Sequence, residues 1–307
     1  MRQVSIICYH GIIDEIPNEF NSSGKHLDVN VFKKQIDFLA RNFEIITMRQ
    51  IEHYFQGNGD LPKKSVALTF DDGYANNAKY ADAILMNLGV KATIYLATNY
   101  IGTGRLMWSD EIELIILTIP MDHFKVKLDE EHYFDISTIE KRHTALKIIK
   151  NYLKKSSPEK IKTVLLELTI LAPDAGQAIN SDLHSFLNWD DVRSMSSSNI
   201  WEIGAHTLDH YSLGVLSPTL GIEQIKQSIN KVRQELSIDY VPLFSYPEGR
   251  EIDMPLYAVK FLNNIGLRTA PSALEGHNIL TKLSTKRAMR LKRYLVGFES
   301  LSFPWQL

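Results

Sequence analysis

The amino-acid sequence predicts an α/β protein whose mainly parallel strands form a barrel-like domain carrying one helical insertion. Three features lead there. Strand and helix patterns alternate along most of the chain. The strands before residue 97 are short, nearly continuous apolar runs, the pattern of strands covered on both faces. The alternation stops between about residues 102 and 187 and then resumes, with no repeat, linker or low-complexity tract. A single domain over 1–307 with that insertion is the economical reading.

The elements follow in order. VSIIC (Val4–Cys8) reads as a buried first strand ending on Tyr9, His10 and Gly11. Residues 14–24 are turn-rich, and Asp28 to Asn30 can cap a helix over Val31–Arg41 with Phe32, Ile36 and Leu39 on one face. FEIIT (43–47) is a second strand, Met48–Phe55 a short helix, and residues 56–64 an exposed loop. The chain is organised around its next strand, in which Val66, Ala67, Leu68 and Phe70 run into Asp71, Asp72 and Gly73. A helix over Tyr74–Leu88, stopped by Gly89, and a strand over Ala92–Leu96 complete a βαβ unit. The insertion shows a hairpin at 125–135 and two Lys/Glu-rich helices, Ser137–Lys154 and Ser157–Leu171, to which no chemistry is assigned. Trp189–Met195 then reads as a helix, NIWEIGAH as a strand ending in His206, Pro218–Leu236 as a helix and PLFSY (242–246) as a strand. A turn at Pro247-Glu248-Gly249, a helix from about Met254 to Ile265 and a closing strand at GLRTA (266–270) follow.

Composition narrows the function. With 34 Lys+Arg against 36 Asp+Glu, the net charge of −2 offers no long-range attraction to nucleic acid or an anionic membrane. The single cysteine, Cys8, excludes an internal disulfide and a cysteine-rich zinc module, whereas ten histidines remain as ligands. The apolar run before Tyr9 is too short for a signal peptide, and no stretch approaches the ~20 residues that cross a bilayer, so a cytoplasmic chain is expected.

The chemistry-bearing residues collect at strand ends, where α/β folds place their sites. One aspartate at such a position is explained by turn or cap preference, but two adjacent carboxylates repel unless a cation or proton lies between them. Asp72, His206 and His210 form a plausible ligand set for one divalent ion, with Zn2+ the first choice and Co2+, Ni2+ or Fe2+ compatible. Asp71 then remains as a base. A lone HxxxH is a weak signal, because a helix places such a pair on one face with or without function.

TFDDG at Thr69–Gly73 followed by HTLDH at His206–His210 resembles the polysaccharide deacetylases of carbohydrate esterase family four, the NodB-homology family, and FSYPEG at Phe244–Gly249 resembles that family's third motif. The resemblance covers most of the chain outside the insertion. It implies a distorted barrel of about seven βα units. It also implies Asp71 as general base, Asp72, His206 and His210 as metal ligands, and Tyr246, Pro247 and Glu248 as part of the acetyl pocket. Two positions depart from the pattern. Ser245 stands where an arginine usually orients the base, which removes that partner, and Leu274 and His277 are one residue too far apart for the late Leu-x-His acid motif.

These readings lead to a metal-dependent hydrolase that removes an N-acetyl group from an N-acetylhexosamine-containing glycan or precursor. Backbone N–H groups near Tyr246 would stabilise the oxyanion and His10 would replace the missing acid, with His277 as its rival. An O-deacetylase or small-amide hydrolase fits the same residues. A glycan-binding protein that has lost turnover is the alternative from another class.

Overall fold

The structure, a computed structural model, describes residues 1–17, 19–281, 285–297 and 303–307. Its strands are β1 (Arg2–Tyr9), β2 (Gly11–Ile13), β3 (His26–Asp28), β4 (Glu44–Ile46), β5 (Lys64–Phe70), β6 (Ala92–Leu96), β7 (His123–Lys127), β8 (Glu131–Asp135), β9 (Trp201–Ala205), β10 (Leu243–Phe244), β11 (Pro271–Glu275), β12 (Asn278–Leu280) and β13 (Leu291–Leu295). The principal helices are α1 (Val29–Asn42), α2 (Met48–Phe55), α3 (Asp82–Leu88), α4 (Trp108–Thr118), α5 (Ile139–Leu153), α6 (Pro158–Thr169), α7 (Ser181–His184), α8 (Trp189–Ser197), α9 (Pro218–Leu236) and α10 (Leu256–Asn264).

One sheet runs β10-β9-β6-β5-β1-β13-β11, with β4 also paired to β5 and β12 to β1. All its pairings are parallel except β1 with β12. The sheet curls into a distorted (β/α)7-type barrel whose ends, β10 with the loop after it and β11, meet among the described residues through bonds from the Tyr246 N–H to the Pro271 carbonyl at 3.4 Å and from the Ala273 N–H to the Gly249 carbonyl at 2.8 Å. The central strands are buried along nearly their whole length, which explains why both faces read as apolar.

Register sets the site. Tyr9 lies opposite Phe70, Leu96 opposite Ala205, and Ala205 opposite Phe244, so His10, Asp71, His206 and Ser245 all leave the sheet at one rim. The helices start where their sequences propose. Asp28 accepts from the Asn30 and Val31 N–H groups at the head of α1, and Thr47 with Gln50 forms a capping box on α2.

Three expectations are corrected. GLRTA is not a strand; the chain becomes extended only at Pro271, and the barrel is closed by β11 and β13. The helix expected over Tyr74–Leu88 opens with a π-helical turn at Asn77–Ala81 and is α-helical only from Asp82. The strand at PLFSY is paired over two residues only.

The insertion folds around its own core. Ile112, Ile115, Phe124, Phe134, Leu146, Ile149, Val164 and Leu168 are buried together there, apart from the main core. The spacing of Leu146, Ile149 and Leu153 on α5, and of Ile161, Val164 and Leu168 on α6, gives each helix one apolar face. Phe186 and Tyr211 pack against both cores and join them.

Candidate active site

The loop after β5 turns sharply at Asp72 (φ 75°) and Gly73 (φ 92°). A Cβ at Gly73 would lie 2.9 Å from the side chains of Leu96 and Ile101, so residue 73 must be glycine for the β5 end to pack against β6. Left-handed backbone recurs at Thr207, His210 and Glu248. Four of the seven non-glycine residues with positive φ among those described therefore belong to three strand-end loops that face one another. The HxxxH pair is not on a helix. His206 follows β9, and two left-handed residues fold the loop so that the two imidazole rings lie 4.9 Å apart.

A cavity of about 310 Å³ opens at this rim, lined on the barrel side by His10, Asp71, Asp72, His206, His210 and Arg293 among others. Tyr246 and Glu248 also line it. Pro247 does not, and instead shapes the turn, its carbonyl accepting from the Gly249 N–H at 2.6 Å. His277 is exposed on the turn after β11 and lies outside the cavity.

Asp71 is held by a residue that sequence reasoning missed. Arg293 of β13, 1% exposed, donates from Nη1 to Asp71 Oδ1 at 2.9 Å and from Nη2 to Oδ2 at 2.7 Å, and from Nε to the Ser272 carbonyl at 2.6 Å. The expectation that Ser245 leaves the base without an orienting partner is thus corrected: the arginine is supplied from the last strand. Burial alone would raise the Asp71 pKa. The guanidinium outweighs burial and holds the carboxyl well below the usual carboxylate range.

Asp72 faces the opposite balance. No lysine or arginine among the described residues forms an ion pair with it, and burial, only partly opposed by His206 and Lys25, pushes its carboxyl up to about 7. Its buried Oδ1 accepts no hydrogen bond from any described residue, yet lies 3.7 Å from His206 Nε2 and 3.2 Å from His210 Nε2. Burial lowers the pKa of both imidazoles, keeping them neutral. The His206 Nδ1 sits 2.8 Å from the Ser245 carbonyl, which assigns the proton to Nδ1 and leaves Nε2 as a lone-pair donor. An orphaned buried carboxylate oxygen between two neutral imidazole nitrogens, with one donor atom of each of the three within 4.8 Å of the others, is the chemistry of a divalent-cation site.

His10 sits beside Asp71, one donor atom of each within 4.8 Å of the other. The Asn77 side chain fixes it from behind, donating to the His10 carbonyl at 2.7 Å. Burial lowers its pKa to about 3. The insertion, expected to carry no chemistry, walls the cavity's far side with Met107, Ser109, Lys150 and Lys154, and Lys154 pairs with Glu248 at 2.9 Å. Lys25, from the segment before β3, completes the lining and bonds the Tyr74 hydroxyl and Asp110. Burial opposes its charge, but Asp110 and Glu113 raise its pKa.

The mainly parallel barrel thus brings two aspartates, one of them held by Arg293, and two histidines together at one rim, where α/β barrels place their active sites. The family model for polysaccharide deacetylase matches residues 58–270, and the chain belongs to that family of carbohydrate deacetylases. No curated protein sequence matches it. Among solved structures, the fold is similar to the Streptococcus pyogenes deacetylase PplD in complex with acetate, at 16% identity and TM-score 0.61 over 98% of this chain and 94% of that one. It is also similar to IcaB from Ammonifex degensii, at 16% identity and TM-score 0.62 over 99% and 94%. A de-N-acetylase from Aggregatibacter actinomycetemcomitans shares 16% identity and TM-score 0.60 over 97% and 96%. No helix among the described residues is long and apolar enough to cross a membrane.

Proposed function

We propose that the protein removes an N-acetyl group from an N-acetylhexosamine-containing glycan or glycan precursor by metal-dependent hydrolysis. One observation carries this reading: the carboxylate fixed by Arg293 stands in the same cavity as the buried Asp72, His206 and His210 set. That set would hold one divalent cation, and Zn2+ suits its two nitrogens and one oxygen best, with Co2+, Ni2+ and Fe2+ fitting the same donors. Such an ion, when bound, supplies an acidic water and polarises the acetyl carbonyl.

The chain's own groups do the rest. Asp71 takes the proton of the attacking water, and the two-pronged bond from Arg293 fixes its oxygens in one plane at some cost in basicity. His10, neutral at rest, receives that proton from its neighbour and delivers it to the departing nitrogen, which would otherwise be a very poor leaving group. Tyr246 and Glu248 bound the acetyl pocket and Pro247 shapes it. The N–H of Tyr246 is engaged by Pro271, so the oxyanion donor of this turn is the N–H of Glu248, which no described residue accepts. The binding-only alternative drew on the missing arginine and on the missing late acid motif; Arg293 answers the first ground, and the proposed role of His10 is the answer to the second.

Acetate release from N-acetylglucosamine oligomers, on returning Zn2+ to chelated protein, is the test. His206→Ala and His210→Ala should each lose most of the bound metal while remaining folded. Unchanged metal content in both, or no acetate from any acetylated sugar, would overturn the reading.

A further inference from the structure

We infer that Lys25, Lys150 and Lys154 form an anion-binding wall that takes a phosphate or carboxylate substituent of the sugar. This deepens the deacetylase reading by naming the class of substrate. Lys150 and Lys154 stand one turn apart at the end of α5, and Arg250 Nη2 anchors that end by donating to the Lys154 carbonyl at 3.2 Å. Lys25 reaches the same cavity from the barrel side. The three side chains are only 12%, 12% and 30% exposed, for Lys25, Lys150 and Lys154 respectively.

Each ammonium carries three N–H donors. Among the described residues Lys150 bonds only Glu113, at 2.6 Å, and Lys154 only Glu248, at 2.9 Å. Both lysines therefore keep further N–H donors, and because both line the cavity an acceptor bound there can take them. The charge balance specifies which acceptor. Asp110 and Glu113, which neutralise Lys25 and Lys150, stand behind the lining, whose own charged groups are Lys25, Lys150, Lys154 and Arg293 against Asp71, Asp72 and Glu248. A divalent ion makes the surface more positive. A sugar hydroxyl can also accept from these ammonium groups, but it brings a donor of its own and no charge, whereas a phosphate or carboxylate oxygen only accepts and pairs opposite charges in shorter, stronger bonds.

Calorimetry on the Zn2+-loaded Asp71→Asn protein, which retains the lysines and the metal set, tests this. N-acetylglucosamine 1-phosphate and N-acetylmuramic acid should each be compared with neutral N-acetylglucosamine, the two arms separating phosphate from carboxylate. At least one anionic sugar should bind about tenfold or more tighter than the neutral one, as expected for one or two charge-assisted bonds. Lys154→Gln, and the pair Lys150→Met with Glu113→Gln that leaves no buried carboxylate unpaired, should each reduce that preference while neutral-sugar affinity stays within about twofold. Equal affinity for charged and neutral sugars, absence of binding by all three, or an equal loss for both kinds in the lysine variants would overturn the inference. Failure of the deacetylase reading is a separate result, the absence of acetate from every acetylated sugar with wild-type protein.

Discussion

Asp71 and Arg293 lie 222 residues apart in sequence and share two hydrogen bonds, so the base of this site is assembled by the closure of the barrel. Arg293→Lys keeps a cation but loses the fork that fixes the carboxylate plane. It should lower kcat by about 10–100-fold with unchanged metal content, as a displacement near 1 Å does. Arg293→Met leaves a buried carboxylate unpaired and should cost about 3–5 kcal/mol in urea unfolding. Normal turnover in the lysine variant would show that position does not matter. His10 makes a second test. His10→Ala should slow amide hydrolysis by ~10²-fold or more while sparing an activated acetate ester, whose leaving group needs no proton. His277→Ala, at an exposed turn, should change neither. His10, Asp71 and His206 stand out in the sequence because each follows a strand-like, largely apolar run, and Asp72 and His210 because they are spaced to pair with Asp71 and His206. Arg293 does not, because LKRYL with its flanking cations reads as solvated chain, and only the parallel pairing of Ile7 and Cys8 with Tyr294 and Leu295 shows which face is buried.

At the scale of elements, what the sequence displays is hydrophobic period and cap chemistry, and these place α2, α9, β6 and the insertion's hairpin with little error. Loop conformation is less visible. Nothing in HTLDH announces two left-handed residues, and nothing in PEG announces that Gly249 touches another strand. There a Cβ would lie 2.4 Å from the Ala273 nitrogen, whose N–H bonds the Gly249 carbonyl at 2.8 Å, so this contact helps to join the loop after β10 to β11. Gly249→Ala should therefore cost more than the ~1–2 kcal/mol of a left-handed alanine, because backbone must also move. Gly104, at φ 68° with nothing within 4 Å of its would-be Cβ, supplies the control: Gly104→Ala should cost only the conformational term. Equal shifts of the urea midpoint in the two variants would show that the contact contributes nothing.

At the scale of the molecule, two apolar cores are joined by a few aromatic contacts and by a buried chain of charges. Glu113 on α4 accepts from Lys150 Nζ at 2.6 Å and from both the N–H and the hydroxyl of Ser22 at 3.0 Å, while Asp110, one turn earlier, pairs with Lys25 and Tyr74. This chain ties the insertion to the segment before β3 and sets the far wall of the cavity. Burial would raise the pKa of Glu113, but Lys150 and Lys25 hold it well below the usual range, and Lys25 and Lys150 similarly lower Asp110. A carboxylate depressed in the folded state stabilises fully above its unfolded pKa, about 4.3 for Glu, and loses that contribution as pH falls toward the folded value. Acid should therefore loosen the join before it unfolds the barrel. Hydrogen exchange should rise in α4 and α5 below about pH 4, with β5 and β6 still protected. Glu113→Gln keeps one oxygen for Ser22 and removes the titration, so its stability should be lower than wild type at pH 7 and should fall less steeply between about pH 5 and 3. Parallel pH profiles for the two proteins, or simultaneous loss of protection in α5 and β5, would show instead that one cooperative unit spans both cores.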